Sequence, residues 1–297
     1  MIFAASVSAQ PCAQVGALQV KGALTNSALT EISGLAASIR NPGLLWAHND
    51  SGDSARIFAV SGTTGGLRAT VILDNATAVD WEDIATGPPA AQQVYIADTG
   101  NNALDRATLH IYRIDEPSVT NTTGNVTIHI SEADDFPFKY AGAELHDSET
   151  LLCDPANGDL YIVTRDRAGV GLARVFKYAA PLQAGVTVTL PQIATITGHT
   201  NELIKGGEFA PNGTIGLLEH GDATRSLLWL RDPETTVTAA FANTPCITTL
   251  TALPQAEALT FNLAGDGFYV TSEGIDQPLQ FYPVVYAVSG MTGLVLD

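Results

Sequence analysis

Short apolar runs rich in β-branched and aromatic residues recur along the chain, separated by turn chemistry, and no stretch keeps an amphipathic helical period over a useful length. Five of these runs open with polar residues in one frame: EISGLA at Glu31, DWEDIA at Asp80, DSETLL at Asp147, KGGEFA at Lys205 and QAEALTF at Gln255. Aligned on a shared apolar position (Leu35, Ile84, Leu151, Phe209, Leu259), the residue two places earlier reads Ser33, Glu82, Glu149, Gly207 and Glu257. Each run passes through a turn, NPG, GPP, NGD, PNG or GDG, into a second strand: LLWAHND, VYIADTG, DLYIVTRD, TIGLLEH or GFYVTSE. Third strands follow (RIFAVS, ATLHIYRID, ARVFKYA, SLLWLRD, QFYPVVYAVS), then outer strands such as RATVIL, NVTIHIS and CITTLTAL in the first, second and fourth repeats.

Four strands per repeat predict an all-β, five-bladed β-propeller. The fifth repeat stops after its third strand, and ALQVKGA at 17–23 supplies the missing outer strand, so that an N-terminal strand closes the last blade. The interval from Glu82 to Glu149 is the longest, and its surplus at 131–147 leaves room for a sixth, degenerate blade. Residues 11–297 are read as a single propeller domain. Residues 1–10 are read as a signal-peptide remnant, because an apolar stretch there ends in small residues, or as a disordered N-terminus.

Charge narrows the partners. The 297 residues hold 14 Lys and Arg against 31 Asp and Glu, a formal net charge of -17, which argues against a nucleic-acid partner. No run reaches the roughly 18 apolar residues that span a bilayer, so no membrane partner is expected. The balance suits a secreted or periplasmic monomer that holds cations. Cys12 and Cys246 either form one bridge or, with Cys153, are buried thiols.

In a propeller the inner strands line a central channel, so Ser33, Glu82, Glu149 and Glu257 would converge at its axis, with a gap at Gly207. Like charges brought together raise each other's pKa, and a hard cation relieves them. Oxygen-only ligands point to Ca2+ rather than zinc; the alternative is that the glutamates accept neighbouring backbone amides. A second layer comprises Glu31, Asp80, Asp147, Lys205 and Gln255, and a third comprises second-strand ends. The latter include His48, Asn49 and Asp50; Asp98, Asn101 and Asn102; Arg165, Asp166 and Arg167; His220 and Asp222; Ser272 and Glu273.

Arg165 and Lys205, with Asn49 and Asn101, are the candidate contacts to a small anionic substrate; alternatively the cations only balance the surrounding acids. Asp50, Asp98 and His220 are the candidate general bases, although a lone histidine at a strand end also serves as a structural residue. No serine stands in a GxSxG context, so a nucleophilic triad is not supported.

EISGLA, NDSG, DWEDIA, YIADTGNN and YRIDEP together resemble secreted bacterial propeller proteins of the esterase-like phytase type. The ring Ser33, Glu82, Glu149, Glu257 resembles that of calcium-activated nucleotidases of the apyrase type, and HDSE and TRDR match more weakly. That resemblance implies a five-bladed propeller with channel calcium held by Ser and Glu side chains; Gly207 departs from it. The expected function is a calcium-dependent hydrolase of phosphate esters acting at the channel mouth. The alternatives are a glycosidase using axial carboxylates and a non-catalytic, calcium-stabilised ligand-binding propeller.

Overall fold

Five mainly antiparallel sheets follow one another along the chain in the computed structural model, which describes residues 12–120, 124–165, 171–198, 202–232 and 234–286. The segment 1–10, Asp166 and Arg167 lie outside the described residues. The inner strands are Ile32–Ala37, Trp81–Thr86, Ser148–Cys153, Glu202–Phe209 and Ala256–Phe261, one per blade. Each pairs antiparallel with the next strand in sequence. Period-2 alternation is muted in these strands because blades pack on both faces, so most of their residues are buried.

The fold is a five-bladed β-propeller closed as expected by Gln19–Leu24, which pairs antiparallel with Gln277–Val285. Among the described residues there is no sixth blade: the surplus at 131–147 holds Asp134–Tyr140, the outer strand of blade 2. NVTIHIS is therefore not that outer strand. Its residues Val126–Ile130 instead run parallel to Leu67–Leu73 as a fifth strand on blade 1. A sequence pattern marks a strand but not its partner, and a parallel edge partner leaves no short turn to reveal it.

The same excursion recurs at other seams. After its third strand, blade 3 sends Val188–Leu190 back onto Asp134–Tyr140 of blade 2 before forming its own outer strand, Gln192–Thr197. Blade 4 makes the detour with the helix Val237–Phe241, whose Val237, Ala240 and Phe241 pack with Ile193 and Ile196 of blade 3. Blades 4 and 5 are joined by the Cys12–Cys246 disulfide, while Cys153 is a buried free thiol. At the last seam blade 5 meets blade 1 by backbone approach. A Cβ on Gly22 would lie 2.2 Å from the Thr64 oxygen, and one on Gly65 2.3 Å from the Ala23 oxygen.

One irregularity is common to all five blades. Each inner strand carries a β-bulge against its partner, between Ile32 and Gly34, Trp81 and Asp83, Ser148 and Thr150, Ile204 and Gly206, and Ala256 and Ala258. An extra residue of this kind breaks the alternation and re-aims one side chain.

Candidate functional site

The five bulged residues are Ser33, Glu82, Glu149, Lys205 and Glu257. The expected ring is thus present in four blades, but blade 4 contributes Lys205 and not Gly207. Gly207 sits in the regular ladder opposite Leu217, where a Cβ would come within 2.6 Å of that leucine's Cδ2. Anchoring the frame on Phe209 had shifted blade 4 by two residues, one full strand period. The bulge residues face a polar cavity of about 310 Å³, also lined by Asp50, Asn102, Arg165, Gln255 and Glu273.

One side of this cavity is a buried ion-pair chain. Lys205 Nζ donates to Glu257 Oε1 at 2.8 Å and stands 2.9 Å from Glu149 Oε2, the latter an ion pair without hydrogen-bond geometry. Arg165 pairs with Glu149, donates from Nε to Asp147 Oδ2 at 2.9 Å and reaches Asn102 Oδ1 at 2.8 Å. Burial nevertheless pushes Glu257 up to about 7, with Lys205 opposing the shift. Arg165 and Lys205 are thus brought into the cavity, with their charge largely answered by protein carboxylates.

On the other side, among the described residues, carboxylates gather without a paired cation between them. Ligand oxygens of Asp50, Asp80 and Glu82 lie within 4.8 Å of one another. Burial, then Asp50 and Asp147, raise Asp80 to about 6; burial and the charges of Asp50, Asp80 and Asp147 hold Glu82 well above the usual carboxylate range. Asp50 is raised as well, chiefly by burial, with Glu31 adding to it. The Glu82 carboxylate, on a residue only 3% exposed, meets no hydrogen-bond or ion-pair partner among the described residues. Gly100 makes room for this cluster: a Cβ there would fall 2.2 Å from Glu82 Oε1 and 2.4 Å from Asp80 Oδ2.

A hard cation therefore fits the set Asp50, Asp80 and Glu82 in donor chemistry. It does not fit the full set Ser33, Glu82, Glu149 and Glu257, because protein cations already hold Glu149 and Glu257. Ser33 Oγ, for its part, donates to the Glu82 carbonyl at 2.7 Å.

Several other expected site residues build the mouth without lining it. Asn49 Oδ1 accepts the Thr30 and Glu31 amides, each at 3.2 Å, and its Nδ2 donates to Asp53 at 2.7 Å. Asp98 accepts the Asp80 amide at 3.0 Å and pairs with Arg106 at 2.7 Å, fully buried. Ser272 repeats the device on the Gln255 amide at 2.9 Å. Side chains at second-strand ends thus hold the neighbouring starts of the inner strands. Asn101 accepts the Asp105 and Arg106 amides, both at 3.0 Å, and orders the loop behind Gly100. His220 Nδ1 lies 3.0 Å from Thr224 Oγ1 on the next strand. His48 is fully buried, which lowers it to about 4.

Sequence reasoning passed over Gly100 and undervalued Asp80 and Glu273. The DWED run was the available signal for Asp80; nothing in the sequence marked Gly100, whose role depends on a contact between segments.

No protein-family model and no curated protein sequence matches the chain. Among solved structures, the WD40 repeats of RRP9 align at 9% identity with a TM-score of 0.49, covering 92% of this chain and 100% of that one. A gluconolactonase of Xanthomonas campestris aligns at 14% identity with a TM-score of 0.46, covering 94% of this chain and 99% of that one.

Proposed function

We propose that this propeller is a calcium-dependent hydrolase of small phosphate esters, acting at the channel mouth. The observation that carries the reading is the convergence of Asp50, Asp80 and Glu82 into an unneutralised carboxylate group beside Arg165 and Lys205. Asp50, Asp80 and Glu82 would hold the ion, which when bound would polarise a phosphoryl oxygen. Lys205 and Arg165 line the cavity as hydrogen-bond donors that would receive the ester's oxygens, and their ties to Glu149, Asp147 and Glu257 keep them oriented. Asp50, half-buried and at the cavity wall, is the carboxylate best situated to orient an attacking water.

The test is a panel of phosphomono-, di- and triesters, nucleotides and lactones assayed with calcium and with chelator. Calcium-dependent turnover of a phosphate ester supports the reading; no calcium-dependent turnover on any member defeats it.

A second reading has one observation in its favour. Glu257, raised to about 7, can hold a proton near neutral pH, as the acid of a glycosidase must. Turnover of aryl glycosides that persists in chelator would select it. Tight ligand binding without turnover would mark a non-catalytic propeller. We also place the protein in a secreted or periplasmic setting, where the Cys12–Cys246 bridge persists; among the described residues no helix is long and apolar enough to cross a membrane.

A further inference from the structure

The geometry points to Lys205 as a tethered cation that fills the axial ring and confines divalent ions to the blade 1 and blade 2 side of the mouth. The bulge puts Lys205 in register with Ser33, Glu82, Glu149 and Glu257, so its ammonium enters the ring from the same structural position as the four oxygen donors. It reaches the carboxylates of both flanking blades, Glu149 of blade 3 and Glu257 of blade 5, at 2.9 and 2.8 Å. Gly206 permits this approach: a Cβ on it would lie 2.5 Å from the Glu257 carbonyl oxygen, so the inner strands of blades 4 and 5 meet without an intervening side chain.

An ammonium seated between two buried carboxylates stands where a divalent ion would bridge them. A calcium ion entering there must expel the ammonium or sit against it, and like charge in a poorly solvated channel is strongly unfavourable. Ser33 donates its hydroxyl to the Glu82 carbonyl at 2.7 Å. Lys205 is therefore a specificity-determining residue: it decides which part of the channel takes the metal. This assignment holds whether or not the ion is catalytic.

Calcium bound per chain, read by titration calorimetry and elemental analysis on the full chain, tests it. Lys205→Ser is expected to bind one more ion than the wild type, and that extra ion to vanish when Glu149→Gln is added. Lys205→Arg is expected to keep the wild-type count. A folded Lys205→Ser protein with the wild-type count would overturn the assignment. Glu82→Gln and Glu149→Gln in the wild-type background decide the matter even if Lys205→Ser does not fold. Calcium kept by Glu82→Gln but lost by Glu149→Gln would put the ion on the ring and overturn the inference; a count insensitive to Glu149→Gln supports it. A wild type that binds no calcium while Lys205→Ser binds one would support the role of Lys205 and defeat the calcium-dependent reading of the active site.

Discussion

The Asp83 carboxylate of blade 2 accepts the Leu151 amide of blade 3 at 2.8 Å, so a side chain ties two blades together directly beneath the ring. The same carboxylate accepts its neighbour Ile84's amide at 2.9 Å, and the Gly207 backbone of blade 4 opposes the rise of its pKa. It is fully buried, and burial holds its pKa well above the usual range. Asp83→Ala would leave the buried Leu151 and Ile84 amides without this acceptor, at about 1–3 kcal/mol each. We expect urea denaturation to show a loss of about 3 kcal/mol or more for Asp83→Ala. Asp83→Asn should lose far less, because it keeps an acceptor oxygen and burial already favours the neutral form. Equal losses in the two variants would contradict this account.

The mouth acids make stability depend on pH. Asp80, raised to about 6, and Glu82, held well above its ordinary value, keep their protons in the folded state at pH values where the unfolded chain has lost them. The folded state then binds more protons, so stability falls as pH rises from about 4 through about 6. Thermal unfolding in chelator should show that decline. Added calcium should reverse it at pH 7 and have little effect at pH 5, since the ligands must be ionised to bind. A calcium effect of equal size at both pH values would rule out Asp80 and Glu82 as ligands.

Gly100→Ala separates folding from the site. The atoms nearest the new methyl are in the carboxylates of Glu82 and Asp80, whose side chains can swing aside, so the melting temperature should move little. Their oxygens would no longer converge, and calcium affinity should drop by about tenfold or more. Unchanged affinity measured by calorimetry would place the ion elsewhere.

The Cys12–Cys246 bridge clips blade 4 to blade 5 across a sequence separation of 234 residues. Closing so long a loop restricts the unfolded chain, and the double Cys12→Ser, Cys246→Ser variant should be less stable by about 2–4 kcal/mol. Its fold and its calcium stoichiometry should persist, because the bridge lies at the outer edge and not at the channel. Loss of calcium binding in a folded double variant would contradict that separation.

Much of the fold was legible because a propeller repeats. Apolar strands, turn residues and a shared polar opening recur five times, and each copy reinforces the others. The framing of blade 4 was not legible, since Phe209 is as apolar as Leu35 or Ile84 and a bulge leaves no mark in composition. NVTIHIS was a strand as read, yet it joined the wrong sheet in the reading, because edge pairing is a relation between distant segments.

By itself the sequence determined the repeating strand pattern, the closure by an N-terminal strand and the gathering of acids at one mouth, all consequences of local pattern repeated in register; it left room for a sixth blade at 131–147 that only the structure removed. Only the tertiary structure decided how those charges pair. It set Lys205 between Glu149 and Glu257 and left Asp50, Asp80 and Glu82 together, because electrostatic partnership depends on distances of a few ångströms between residues that the chain holds far apart.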